Sequence, residues 1–285
     1  CGTSEAQPSE SQKPSEAQPS EAQPTEPATD SDLPRNETLY FGGQQWGEVN
    51  SWNPVGANQN NAMAIANSAA GSRTIMFETL YMYNFLTGEM LPLLADGDYQ
   101  WNADKTEMTV KLNPAAKWND GTAVTANDVK RTFDIGLEIQ NPSTYHPYIS
   151  EIAVNSDTEL VIKANKDNLN PLMLEDFLSG QYIAQAAWID KCLERNNNDS
   201  QAFLNDRGED AAYSGPYGPY YSDAQKVVFV RNEDYWGQDA SMWGKLPVPK
   251  YIAHTIYADN SAAEVAFKAG EIDVNQQFIG NIQDL

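Results

Sequence analysis

Among its first 36 residues the chain has a single large apolar side chain, Leu33, so any folded core must be built from residues 37 onward. SEAQP recurs at 4–8, 15–19 and 20–24, with SESQKP between. A repeat of Ser, Glu, Ala, Gln and Pro has nothing to bury and reads as a spacer, not as a solenoid unit. As a coil it would reach roughly 30–35 Å, and proline and like charges would extend it further. It follows Cys1, the residue that cleavage of a bacterial lipoprotein signal leaves for acylation. The sequence thus predicts a disordered lipoprotein tether over 1–36, lipidated at Cys1 and anchored to the membrane without spanning it.

About 250 residues remain, enough for one large domain or two smaller ones. The net charge is −22, of which residues 1–36 carry −5 and the remainder −17. A surface so acidic repels nucleic acid and anionic lipid, so no nucleic-acid partner is expected. Cys192 is the only cysteine besides Cys1. With Cys1 acylated no disulfide framework can form, and the fold must stand on its apolar core. Cys192 lies in AAWIDKCLERN, a helical pattern in which it is a half-buried structural thiol. No run approaches the 18 apolar residues a membrane span needs.

The pattern along the chain is mixed. ETLYFGG (37–43) reads as a short strand ended by two glycines, and residues 62–80 place small and apolar residues at helical spacing. EMTVKL (107–112), EIAV (151–154), ELVIKA (159–164), KVVFVRN (226–232) and YIAHTIY (251–257) read as strands. Residues 125–139 read as a helix, with Thr125 as N-cap and Asp128 in a capping-box position. Further helices fall in 171–179 and 186–195, and AAEVAFKAG ends a helix with Gly270 at C′. Without regular βαβ alternation this is an α/β chain of mixed α+β type. Gly215-Pro216 sets a turn that brings backbone close to a neighbour.

Four segments carry a family pattern: TGEMLPLLAD (87–96), AAKWNDGTAVTANDVKRTFDIG (115–136), SGPYGPYYSDAQKVVFVRNEDYWG (214–237) and FKAGEIDV (267–274). Together they resemble the family 5 extracellular solute-binding proteins, the oligopeptide- and dipeptide-binding lipoproteins of ABC importers. Trp118, Asp120, Gly121, Thr125, Ala126, Asp128, Val129 and Phe133 match the family signature in the 115–136 segment, and all read as structural. The resemblance implies a periplasmic-binding-protein-like type II lobe with an inserted subdomain. Its first-lobe core would comprise 37–75 and 205–265, the inserted subdomain 76–204, and the start of a second lobe, largely missing, 266–285. Ligand would sit between two closing lobes and pass to an ABC permease, at the extracellular face of the cytoplasmic membrane.

In that frame GGQQWGEVNSWNP (42–54) would line the cleft. It is rich in amides and indoles, which makes Gln44, Gln45, Trp46, Trp52 and Asn53 ligand-binding candidates, with Tyr217 added from the third segment. These side chains either face a ligand or fill the lobe interior. An oligopeptide ligand follows from the family, and a short oligosaccharide from stacking on the Trp faces. Neither catalysis, a metal nor a cofactor is expected. His146 and His254 are the only histidines and stand in unrelated contexts, and the hydrolase, metalloprotease and P-loop motifs are absent. Asp96, Asp98 and Asp104 read as a solvated turn rather than a calcium loop. Carboxylates are abundant, but none is singled out as half of a glycosidase pair.

Overall fold

Thr38–Gly42 joins a β-branched residue, a leucine and two aromatics before its closing glycine, a composition suited to a pleated, half-buried strand, and it forms β1. The computed structural model describes residues 33–65 and 74–276. After β1 come a hairpin, β2 (Tyr81–Asn84) and β3 (Glu89–Pro92), then β4 (Gln100–Trp101) and β5 (Glu107–Lys111). The helix α1 (Ala126–Glu138) leads into the pair β6 (Ile149–Ser156) and β7 (Glu159–Ala164). Three helices follow: α2 (Pro171–Gly180), α3 (Ala186–Arg195) and α4 (Ser200–Asn205). The chain then forms β8 (Tyr217–Ser222), β9 (Lys226–Arg231), β10 (Tyr251–Thr255), α5 (Asn260–Lys268) and β11 (Val274–Asn275).

Two main sheets result. The larger has the order β11-β1-β10-β9-β8, and the smaller the order β4-β5-β7-β6. In the first, β11, β1 and β10 are parallel, while β9 runs against both β10 and β8. Each sheet has its own core. Val110, Ile152 and Ile162 of the smaller sheet pack with Phe133 of α1 and Phe177 of α2. Val227, Phe229 and Ile252 of the larger pack with Trp188, Ile189 and Phe203. The core of the larger sheet thus takes in side chains of α3 and α4.

Helix α1 begins where expected. The Asp128 carboxylate accepts from the Thr125 N–H at 2.7 Å, the Ala186 N–H at 2.7 Å and the Trp118 indole N–H at 3.3 Å. One buried side chain thus satisfies the start of α1, the start of α3 and the turn beneath Trp118. Asp96, Asp98 and Asp104 are exposed, with β4 between the first two and the third, and Asp104 lies in the turn before β5, where it accepts from the Thr106 hydroxyl and N–H.

The helix expected across 62–80 does not form in its described part; residues 66–73 lie outside the described residues. Residues 74–80 are bent and irregular because their carbonyls are taken elsewhere. Ile75 O accepts from the Tyr217 N–H at 3.0 Å and Met76 O from the Gly215 N–H at 2.9 Å. Met76, Phe77 and Leu80 are buried on all sides, so their apolar spacing carried no helical information. The close approach foreseen at Gly215 is to this segment. A Cβ there would stand 2.5 Å from Ile75 O and 2.7 Å from Met76 O, so only glycine fits.

Glu78 lies in the same segment and is completely buried. Its two oxygens accept from the Tyr235 hydroxyl at 2.6 Å and the Trp236 indole N–H at 2.8 Å. Burial pushes its carboxyl up to about 7, against the pull of these two hydrogen bonds. Below about pH 7 the folded protein keeps a proton that an ordinary carboxylate in the unfolded chain has released. Stability from this group is therefore full below the ordinary carboxylate range and is lost as pH rises through about 7. In urea titrations between pH 5 and 8, the wild type should lose up to about 3 kcal/mol relative to Glu78→Gln. Parallel pH profiles for the two proteins would show that Glu78 does not titrate in this way.

A candidate ligand crevice at the carboxyl ends of the parallel strands

Because β11, β1 and β10 are parallel, their carboxyl ends open on one edge of the larger sheet. In open α/β sheets the crevice outside such ends is where ligands are held. Gly43, at φ 87°, turns the chain out of β1 into the Gln44–Trp46 loop. The chain leaving β10 reaches Asp259, which caps α5 by accepting from the Ala262 N–H at 2.9 Å. Gly43, Trp46, Asp259 and Asn260 line an open depression of about 410 Å³ between these two loops.

Only part of the expected residue set faces this depression. Trp46 does, with 46% of its surface exposed. Gln44 lies beside it, and its side-chain amide donates to the Gln276 carbonyl at 3.2 Å. Gln45 points inward and is fully buried. Its amide nitrogen donates to Gly47 O at 2.8 Å and Asn60 O at 3.1 Å, and its oxygen accepts from the Ala62 N–H at 2.8 Å. Trp52 is buried edge-on against Phe229, with centroids 5.7 Å apart.

Asn53 is also inside. Its amide nitrogen donates to Phe203 O at 3.1 Å and its oxygen accepts from the Val55 N–H at 3.0 Å. The Tyr217 hydroxyl donates to Pro249 O at 2.7 Å, and burial pushes it up to about 12. These four side chains therefore hold the 45–61 loop and β8 in place, and their polar groups are engaged within the lobe. His254, Asp259, Asn260 and Gln276 also meet at this edge, and sequence reasoning passed over them as site residues. A polar His within the apolar run YIAHTIY was the available signal.

A second hollow, of about 360 Å³, lies between Pro54–Gly56, the end of α1 and the 141–146 loop. It shares no lining residue with the depression at the strand ends. The His146 ring there accepts from the Ser143 N–H at 2.8 Å and donates to Phe133 O at 2.9 Å, leaving it no free nitrogen.

A mixed sheet with this crevice and an inserted α+β unit defines one lobe of a type II periplasmic-binding-protein fold. The family model of the bacterial extracellular solute-binding proteins, family 5 Middle, matches residues 89–285, and the chain belongs to that family. The oligopeptide-binding protein of an oligopeptide ABC transporter from Thermotoga maritima superimposes with a TM-score of 0.72 at 24% identity. The match covers 87% of this chain and 43% of that one; its mannohexaose-bound form gives the same score. AppA from Bacillus subtilis, in complex with a nonapeptide, gives 0.66 at 16% identity, over 87% and 45% of the two chains. The probable peptide-binding protein YejA of Agrobacterium fabrum is 28% identical over 190 residues, 65% of this chain and 30% of that protein. This chain thus spans about a third or less of the length of such curated relatives. Family and neighbours are binding proteins, not enzymes. Among the described residues no helix is long and apolar enough to cross a membrane.

The two tryptophans of the loop should separate in a stability measurement. Trp52→Ala removes a buried ring and should cost about 3–5 kcal/mol in urea unfolding. Trp46→Ala should change stability by less than about 0.5 kcal/mol. Comparable losses for both would mean that Trp46 is packed, not displayed.

Proposed function

We propose that this protein captures a short oligomeric solute outside the cytoplasmic membrane for an ABC importer and presents it to the permease. The observation that carries this reading is the crevice at the ends of β1, β10 and β11, with Trp46 displayed on its wall. A second lobe closing over that edge would bury the solute, and the closed form would be the one the permease recognises. No covalent step is required. An oligopeptide is the first ligand class, supported by the peptide-binding relatives. A short oligosaccharide is the second, favoured by a specific observation: an exposed indole next to amide side chains, with no cation among the residues lining the depression. Trp46 and Gln44 are assigned direct ligand contact; Gln45, Trp52, Asn53 and Tyr217 are assigned support of the loop.

The anchor belongs to the same proposal. Cys1 lies outside the described residues, and its acylation would fit the polar spacer that follows it. Expression in a bacterium with the native leader should place the protein in the membrane fraction, and Cys1→Ser should release it. Equal membrane partition of both would remove the anchor.

Ligand class is decided by calorimetric titration with di- to nonapeptides and with mannohexaose and cellohexaose. The expected result is binding by one class and a loss of tenfold or more in Trp46→Ala, equal to about 1.4 kcal/mol. Binding that Trp46→Ala leaves unchanged would move the ligand away from this loop. If no probe of either class binds, the solute-capture reading fails.

A further inference from the structure

Trp46 can serve as a ligand platform only if the Gln44–Trp46 loop is held still, yet this loop leaves β1 through a glycine and belongs to no sheet. The group that holds it comes from β10. His254 stands opposite Phe41 in the parallel register of β1 and β10, with ring centroids 6.1 Å apart, and only 1% of it is exposed. Its Nε2 accepts from the Gln44 N–H at 3.0 Å and from the Gln45 N–H at 3.1 Å. A nitrogen that accepts two N–H groups carries no proton, so the ring is a neutral imidazole protonated on Nδ1. Neither amide could pair within β1, which ends at Gly42. The ring nitrogen thus gives a partner to the buried Gln45 N–H, as a buried backbone donor requires, and to the part-buried Gln44 N–H beside it.

We infer that His254 is the positioning residue of the ligand loop: a side chain that touches no ligand but fixes the platform that does. This inference rests on the reading under Proposed function and adds a residue to it. Two features of the geometry support it. The clasp grips consecutive amides immediately before Trp46, so it sets the direction in which the indole leaves the loop. It also reaches from β10 to the end of β1, and so couples the two strands whose ends frame the crevice. Gln45 completes the clamp from the other side through Gly47, Asn60 and Ala62.

The test uses the full chain with two substitutions at one site. His254→Gln can still offer an acceptor to the two amides, whereas His254→Leu fills similar volume and offers none. Hydrogen exchange at the Gln44 and Gln45 amides should accelerate at least tenfold in His254→Leu and much less in His254→Gln. Calorimetric affinity for whichever of the peptide or oligosaccharide probes binds the wild type should fall at least tenfold in His254→Leu and be largely retained in His254→Gln. Trp46→Ala combined with His254→Leu should cost little more than Trp46→Ala alone, since both act through the same indole. Unchanged exchange in His254→Leu would overturn the clasp. Accelerated exchange with unchanged affinity would overturn its role in binding. A folded wild type that binds no probe, with exchange behaving as expected, would defeat the solute-capture reading and the positioning role with it, while leaving the clasp itself standing.

Discussion

The buried Glu78 carboxyl, held between Tyr235 and Trp236, joins the two halves of the structure. Phe77 on one side of it belongs to the core of the larger sheet, and Leu80 and Tyr81 on the other belong to the core of the smaller. Tyr235 and Trp236 come from the turn after β9, yet they are buried with the smaller sheet. A carboxyl here is costly to desolvate, and each hydrogen bond recovers part of that cost only in one geometry. The relative placement of the two sheets is thereby specified by directional bonds as well as by apolar contact.

The same economy of groups recurs closer to the crevice. Asp128 satisfies two helix starts and a tryptophan, and Asn53 ties the 49–61 loop to the α4 region. Gly208 permits this last contact, because a Cβ there would stand 2.7 Å from the Asn53 backbone. Gln45 and His254 then fasten the loop that carries Trp46. A binding surface on the strand ends needs such support, because a loop held by few bonds would lose ordering entropy on every capture. Rigid positioning on the sheet leaves the depression ready for a solute.

Much of the fold was legible because local rules and tertiary structure agreed. α1 with Thr125 and Asp128, the alternation of β5 and β7, and Gly270 after α5 follow from capping and periodicity alone. Residues 74–80 were misread because Met76–Leu80 are all buried, so no exposed polar face betrays a period. The binding candidates divided for a related reason. Tryptophan and amide residues suit a ligand wall and a lobe interior equally well, and composition does not say which way a side chain turns. Trp46 and Trp52 stand six residues apart in the same stretch and take opposite roles.

The sequence by itself determined the acidic charge, the SEAQP repeats, the mixed α/β class, most of the regular elements and the family resemblance, because each rests on composition, local pattern or ordered motifs. Only the tertiary structure decided which residues meet. Phe41 and His254 are more than 200 positions apart, and nothing local links them. Parallel pairing of β1 with β10 sets them side by side and puts an imidazole nitrogen within hydrogen-bond reach of the Gln44 and Gln45 amides. Long-range register creates the crevice and its clasp, and register is a property of the packed sheet rather than of any one segment.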